Sequence, residues 1–384
     1  SRPRVPSAPR PSRVAAPLRT RDASARASAD AMSSPAVAPF EFATAARVVF
    51  GCGTAARVPA LVKELTELEG CADAPALIVA GASDRFSAPL AARLKEAGIA
   101  SVTYHCAGGE PTVATAEAAI ALAKEHACGA VIAIGGGTPV DTGKCVAAVL
   151  TNGGATPDLY DFLEVVGRAQ PLTSRRAPFV AAPTHARPGA EDTKNSELEA
   201  GDRKAHTGLD ALTQCLEPYV SNAANPLVDA ISLEGIKLGA RSLKEAYENG
   251  AVNLRAREDM CLCSYYGGLS LANAKLGAVH GFSGTLGRLL HAPHGAICAA
   301  LLPHRCAINV HALEGRVMSK DPSTAKKYLE RYLTVARTVT GDADATAAEG
   351  VRALAELVTA CGVPGLGAFG LKEEDFDEVV AKSK

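Results

Sequence analysis

Short apolar segments alternate with amphipathic ones through the first half of the chain. Strand-like segments occupy residues 47–50, 76–80, 99–104 and 130–134, and helical spacing occupies residues 90–97 and 114–126. The segments ALIVA (76–80) and AVIAI (130–134) are wholly apolar. Apolar strands that alternate with amphipathic helices predict a parallel sheet covered on both faces. Such sheets bind ligands at the carboxyl ends of their strands.

Helical periodicity replaces this pattern from about residue 206 onward. Helices are predicted over residues 209–219, 226–247, 254–274, 328–340 and 345–360 and within 275–302. The chain therefore predicts an α/β nucleotide-binding domain over residues 36–204 and an all-helical domain over residues 205–384. A cleft between two such domains is a common place for a small-molecule site.

Residues 1–35 differ in composition from the rest of the chain. They contain seven Arg and seven Ser but only two acidic residues, with Pro interleaved and no apolar face. An Arg-rich, Ser-rich and acid-poor leader is typical of an organelle transit peptide. The frequent Pro favours a chloroplast over a mitochondrion, because Pro interrupts the amphipathic helix of mitochondrial leaders. An ordinary disordered tail on a cytoplasmic protein is the alternative.

Composition and charge exclude several classes of protein. Of 384 residues, 47% are hydrophobic, and 40 Lys and Arg balance 41 Asp and Glu to a net charge of -1. Balanced charge argues against a general nucleic-acid binder, and no apolar run approaches the roughly 18 residues that span a bilayer. The eleven cysteines follow no disulfide or zinc-finger spacing, so we expect reduced, buried thiols.

A triple glycine follows the apolar segment 130–134. Gly135, Gly136 and Gly137 let backbone amides approach a ligand, because no Cβ stands in the way. Thr138 is a suitable N-cap for a following helix, and Asp141 lies three residues later, as in a capping box. The free amides and positive dipole of this helix predict a phosphate-binding site. The sequence matches neither a Walker A loop nor GxGxxG.

Four residues of the helical half have the chemistry of a metal site. Asp210 and Gln214 lie at i and i+4, so they share one helix face. His280 and His294 lie too far apart to meet on one straight helix, but Gly287 and Pro293 interrupt the segment and allow it to turn back. Carboxylate, imidazole and amide oxygen together form a plausible site for Fe(II) or Zn(II).

Several ordered motifs from about Phe40 to the C-terminus resemble those of the iron-containing (group III) alcohol dehydrogenase family, which has a dehydroquinate synthase-like fold. The motifs are GEPT (109–112), GGGTPVDTGK (135–144), DTKNS (192–196), GLDALTQ (208–214), SNAANPL (221–227), VHG (279–281) and PHG (293–295). The resemblance implies reversible hydride transfer between NAD or NADP and an alcohol or carbonyl substrate. It also implies a small-molecule substrate as the main partner, with a homodimer possible.

The resemblance also assigns roles to individual residues. Gly136, Gly137, Thr138 and Asp141 would hold the pyrophosphate, with Thr184 nearby and Lys204 also binding the cofactor. Asp210, Gln214, His280 and His294 occupy the four metal-ligand positions of the family. Gly81 stands where NAD-preferring relatives often have Asp, which leaves room for a 2′-phosphate that Arg85 could bind. NADP is thus at least as probable a cofactor as NAD on this interpretation.

Departures from the family pattern keep other functions open. Gln214 replaces a His that many members have, and Gly284 replaces a second, for which His291 could substitute as a catalytic proton relay. The chain also lacks a strand and loop expected between Lys204 and Thr207, and it stops before the usual last helix. The alternatives are a metal-independent enzyme resembling maleylacetate reductases and an inactive nucleotide-binding relative.

Overall fold

The computed structural model describes residues 40–107, 111–152, 154, 158–163, 167–184 and 204–383. The leader (1–35), Gly109 and Glu110, the motif at 192–196 and the side chain of Lys204 lie outside the described part. Contacts divide the chain into two units, Ser1–Phe40 and Glu41–Lys384, and all described helices and strands lie in the second. The predicted domain boundary at residue 204 falls inside this second unit and stays a prediction.

Four parallel strands form the sheet in the order β2-β1-β3-β4. They are β1 (Ala76–Ala80), β2 (Ser101–His105), β3 (Ala130–Gly135) and β4 (Phe179–Pro183). Each neighbouring pair is parallel, and the register aligns Ala80 with His105 and with Ile134. The α/β part of the predicted fold class is confirmed.

Helices cover both faces of this sheet. They are α1 (Val58–Leu68), α2 (Asp84–Glu96), α3 (Val113–Glu125) and α4 (Gly137–Asn152). Alternate residues of β1 enter different cores: Leu77 and Val79 pack with α3 and α4, whereas Ile78 packs with α1 and α2. Burial on both faces explains why β1 and β3 are uninterrupted apolar segments.

The strand expected at residues 47–50 is wrong. These residues have no strand pairing, and Val48 and Phe50 are each about half exposed. Arg47 instead forms a bidentate ion pair with Glu64 of α1 at 2.6–2.7 Å. Local apolar composition favoured a strand, but none of the described strands lies beside these residues to supply backbone partners.

The described residues from Lys204 onward are helical and contain no strand. The helices are α5 (Lys204–Tyr219), α6 (Pro226–Asn249), α7 (Leu254–Asn273), α8 (Ala278–Leu290), α9 (His294–Ala312), α10 (Pro322–Thr340), α11 (Ala347–Ala360) and α12 (Phe376–Lys382). Helices α5 through α11 share one hydrophobic core, in which Leu212, Leu216 and Leu302 are at most 1% exposed. The all-helical second half is confirmed.

The helical stretch His294–Lys320 is long and apolar enough to cross a membrane by length and composition alone, and half of its most apolar window is buried. Its first part, α9, packs against α5, α8 and α11. Ile297, Cys298 and Leu302 are buried in this packing. Its hydrophobicity is therefore that of a core helix.

Candidate metal and nucleotide site

The order of strands in the sheet reverses direction at β1, because β2 is added on one side of β1 and β3 on the other. Crevices at such a switch point bind ligands at the carboxyl ends of the strands. Gly81 follows β1 and Gly135 ends β3, and a Cβ placed on Gly135 would lie 3.5 Å from the Gly81 nitrogen. Thr184, after β4, donates its backbone N–H to the Gly135 carbonyl at 2.8 Å. Three predicted regions of cofactor contact thus meet at one edge.

Helix α4 begins at this edge, but not where the sequence predicted. Its first residue is Gly137, so Thr138 lies inside the helix and is not the N-cap. Pro139 packs so closely that a Cβ on Gly135, where φ is +149°, would lie 2.7 Å from its Cγ. Glycine is therefore required at position 135. The helix starts two residues earlier than an N-cap at Thr138 would give.

The first turns of α4 are buried against the sheet. Asp141 is 6% exposed and pairs with Lys144 at 2.9 Å. A Cβ on Gly143 would lie 2.8 Å from the Ala133 Cβ, so this glycine permits close packing of α4 on β3. This packing places the N-terminus of α4, at Gly136 and Gly137, at the end of β3, where its free amides could accept an anion.

The predicted ribose end of the nucleotide site lies beside Gly81. A Cβ on Gly81 would meet no atom within 4 Å, so open space surrounds this position. Arg85, in the first turn of α2, is exposed and contacts the ring of Phe86, and its guanidinium forms no ion pair with described residues. The neighbouring Asp84 carboxylate lies 3.1 Å from His105 Nε2. One exposed cation and one exposed carboxylate therefore flank the open position.

A helical hairpin brings the two predicted metal-binding histidines together. Helix α8 ends at Leu290, and the left-handed backbone of its C-cap, His291 (φ +47°), turns the chain back into α9, which begins at His294. The ring centroids of His280 and His294 are 5.5 Å apart. The expected return of the chain is confirmed, but Gly287 lies inside α8 and the break falls at residues 291–293. Exposed His291 forms this turn; no distance tests its predicted catalytic role.

Asp210 of α5 faces both imidazoles. Its Oδ1 lies 3.2 Å from His280 Nε2, and its Oδ2 lies 3.9 Å from His294 Nε2. The carboxylate is 2% exposed. Gly295 allows this approach, since a Cβ there would lie 2.4 Å from the His206 carbonyl oxygen on α5. The structure therefore joins three of the four predicted metal-ligand residues.

Gln214, the fourth predicted ligand, is one turn after Asp210 and 3% exposed. Its Oε1 is buried and accepts no hydrogen bond from the described residues, and it lies 3.5 Å from the place of a Cβ on Gly267 of α7. A buried amide oxygen without a donor is costly, and a bound cation would compensate for it.

Glu217 fixes the orientation of His280. Its Oε2 lies 2.7 Å from His280 Nδ1, and its two oxygens accept the backbone N–H groups of Val279 at 2.8 Å and of His280 at 3.4 Å. A proton on Nδ1, directed at Glu217, would leave the Nε2 lone pair for an ion. The same carboxylate does the work of an N-cap side chain at the start of α8, because the N-cap residue, Gly277, has no side chain to accept these N–H groups.

Neighbouring charges in the cluster shift the pKa values of Asp210 and His280 away from those of the isolated groups. Burial opposes ionisation of Asp210, but His294 and His280 hold the pKa of this carboxyl below its ordinary value. Burial would lower the pKa of His280, but Cys298, Asp210 and Glu217 together raise it well above its ordinary value. The site is therefore built around buried negative charge that a cation complements.

Cys298 also belongs to this cluster, although the sequence interpretation had assigned it to the core. Asp210, His280, His294 and Cys298 each offer one donor atom, and these four atoms lie within 4.8 Å of one another. A divalent ion with bonds of roughly 2.0–2.3 Å holds its donors roughly 3–4 Å apart. The cluster fits a metal ion after a small contraction.

Two of the functional residues were missed in the sequence although each had a signal there. Glu217 lies seven residues after Asp210, two turns along the same face of α5. Cys298 lies four residues after His294, which gives it the same relation that joins Asp210 and Gln214. Helical spacing from an accepted ligand was therefore sufficient to find both.

Comparisons with known proteins agree with this architecture. A family model described as "Iron-containing alcohol dehydrogenase" matches residues 45–220, and one described as "Fe-containing alcohol dehydrogenase family, C-terminal" matches residues 204–383. Alcohol dehydrogenase 4 of Saccharomyces cerevisiae (strain YJM789) is 31% identical over 315 residues, which cover 74% of this chain and 77% of the yeast protein. The 1,3-propanediol dehydrogenase of Klebsiella pneumoniae is 30% identical over 315 residues, covering 74% and 76%.

A solved structure extends the similarity to the fold. The crystal structure of a 1,3-propanediol oxidoreductase superposes with a TM-score of 0.77 at 27% identity, covering 90% of this chain and 93% of that one.

Proposed function

Because this chain belongs to the iron-containing alcohol dehydrogenase family, we propose that it catalyses reversible hydride transfer between NAD(P) and an alcohol or carbonyl substrate at a divalent metal. The observation that carries the proposal is the buried convergence of Asp210, His280 and His294 from three helices. Such a cluster of a carboxylate and two imidazoles is the donor set of a catalytic metal site.

Asp210, Gln214, His280 and His294 are the proposed metal ligands. Held by these residues, a metal would supply Lewis-acid polarisation of the substrate oxygen, and NAD(P) would supply or accept the hydride. Asp210 supplies the negative charge that neutralises the ion. Glu217 holds the proton on His280 Nδ1 and so keeps Nε2 directed at the site. Iron is the metal of the family, and zinc is compatible with the same donors.

The nucleotide is proposed to bind along the carboxyl edge of the sheet. Backbone amides at Gly136 and Gly137 and the dipole of α4 bind the pyrophosphate, with Thr138 and Thr184 lining the turn. Asp141 supports this turn from inside through Lys144. Lys204 stays a proposed cofactor contact on the sequence resemblance alone.

We propose that NADP is accepted at the ribose end of this site. Gly81 presents no carboxylate to a 2′-phosphate, and the space around it is open. Arg85 is exposed within the next turn and carries the positive charge that a phosphate needs. His291 is proposed as a proton relay, since its exposed ring starts the turn that leads to His294.

Purified protein with defined metal content tests the proposed activity. The expected result is metal-dependent oxidation of NADH or NADPH by a panel of small aldehydes, reversible with the alcohols. Asp210→Asn is expected to lose its bound metal and to turn over at least about 100-fold more slowly. The matched control, His311→Ala, changes an exposed residue of α9 and is expected to retain both metal and turnover. Full activity without metal would favour the metal-independent reductase, and cofactor binding without turnover would favour the inactive relative.

We also propose that residues 1–35 direct the protein to an organelle, with the chloroplast favoured, on their Arg-rich and acid-poor composition. A fluorescent fusion carrying these residues is expected to enter plastids, and a variant with its seven Arg replaced by Gln is not. Homodimer formation stays a prediction that light scattering of the purified protein tests.

A further inference from the structure

The cluster described above contains one donor that the family pattern does not explain. Cys298 lies on α9, one turn after His294, so both side chains project from the same side of the helix. Its Sγ lies 3.9 Å from His280 Nε2, and the residue is fully buried. Its Sγ also lies within 4.8 Å of an Asp210 carboxylate oxygen.

We propose that the Cys298 thiolate is a ligand of the metal ion, which adds sulfur to the carboxylate, the two imidazoles and the amide oxygen of Gln214. This inference rests on the proposed metal-dependent function and deepens it. The thiol gives its proton to solvent as the sulfur–metal bond forms, and no electron changes hands. The polar groups that the cluster places near the thiol, on Asp210, His280 and His294, are all proposed ligands of the same ion.

The identity of residue 214 gives a chemical reason for a sulfur ligand. Gln214 offers only a neutral amide oxygen, which binds transition metals more weakly than imidazole does. Its Oε1 faces Gly267 of α7, whereas Cys298 reaches the cluster from α9. The thiolate adds a second negative charge beside Asp210 and compensates for the weaker ligand.

A thiolate also changes which metal the site prefers. Soft sulfur ligands favour Zn(II), and Co(II) takes the same geometry, whereas carboxylates favour harder ions. We therefore expect this chain to retain zinc or cobalt more firmly than Fe(II).

Cobalt spectroscopy of the full chain tests the proposal without reference to activity. The protein is stripped with a chelator, reconstituted with one equivalent of Co(II), and examined for the near-ultraviolet charge-transfer band of a cobalt–thiolate bond. Wild type is expected to show this band together with the visible bands of low-coordinate cobalt. Cys298→Ser is expected to keep the visible bands, lose the charge-transfer band, and bind Co(II) about tenfold or more weakly.

Cys215→Ser is the matched control, because Cys215 is equally buried on α5 but directs its Sγ to the Cys263 carbonyl at 3.4 Å. It is expected to keep the band unchanged. Stoichiometric cobalt without the band, or a band that persists in Cys298→Ser, overturns the proposal and leaves the metal-dependent function intact. Failure to bind any cobalt overturns both.

Discussion

Glu217 accepts hydrogen bonds from both the ring and the backbone N–H of His280, with the ring Nδ1 at 2.7 Å. One carboxylate thereby joins the start of α8 to α5 and fixes the imidazole of a proposed ligand. Asp210, the other carboxylate that contacts this ring, lies at Nε2 on the opposite side. Removal of the Glu217 charge therefore tests how far metal affinity depends on the contact that orients the ring through Nδ1.

Glu217→Gln is expected to weaken metal binding by about 10–100-fold, because the amide neither polarises His280 nor fixes its tautomer as a carboxylate does. It is also expected to lower the free energy of unfolding by about 1 kcal/mol through the lost charge at the start of α8. Competition with a chromogenic chelator measures the affinity, and Glu330→Gln, at an exposed ion pair, is the control. Unchanged affinity would show that His280 needs no partner.

Gly295→Ala is expected to separate α9 from α5. The new Cβ would lie 2.4 Å from the His206 carbonyl oxygen, which is backbone and cannot swing aside. Overpacking of this kind costs about 1–3 kcal/mol, and the shift of His294 is expected to reduce metal occupancy as well. Urea unfolding measures the cost. Gly284→Ala is the control, because a Cβ on this residue of α8 would meet no atom within 4 Å. It is expected to leave the free energy of unfolding unchanged or to raise it by up to about 1 kcal/mol. Equal losses of stability in the two variants would contradict the packing argument.

Gly81→Asp is expected to shift cofactor preference from NADPH toward NADH. The open space at this position accommodates the side chain, and its carboxylate would repel a 2′-phosphate and accept hydrogen bonds from ribose hydroxyls. A change of about tenfold or more in the ratio of kcat/KM values is expected. Arg85→Ala should weaken the binding of NADPH but not that of NADH. An equal loss of affinity for NADH would show that Arg85 does not recognise the 2′-phosphate.

Alkylation is expected to distinguish the cysteines by exposure. Cys52 is exposed, whereas burial raises the pKa of Cys145 to about 11 and that of Cys306 to about 12. Thiolate is the reactive form, so at neutral pH these two residues should react far more slowly than Cys52. Mass spectrometry after brief treatment with iodoacetamide measures the order, and early labelling of Cys306 would indicate opening of the helical core.

The parts of the fold that the sequence predicts best are those whose side-chain pattern is complete by itself. Strand β1 is apolar at all five positions, and burial on both faces of the sheet requires that pattern. Residues 47–50 have a similar composition but no strand beside them, and pairing cannot be read from a local segment. The start of α4 was misplaced because a favourable cap at Thr138 competes with the tight Gly135–Pro139 contact, which only the fold shows.

The candidate site divides in the same way. The i and i+4 relation of Asp210 and Gln214 follows from helix geometry, and the return of His294 to His280 was expected from a break in the helix. The residue that makes this turn, His291 in a left-handed conformation, carries no signal as clear as glycine would. Cys298 was missed because a buried cysteine is ordinarily a core residue, and its role depends on three neighbours from different helices.

The hairpin of α8 and α9 carries His280, His294 and Cys298 within nineteen consecutive residues, whereas Asp210 comes from α5. A chain in which only the hairpin has formed can offer an ion uncharged rings and one thiol, but not the buried carboxylate. Tight binding of the ion would then require that α5 is packed against the hairpin. Tight loading of the proposed ion would thus require that α5 and the hairpin are both in place, which distinguishes a completely assembled helical half from a partly assembled one.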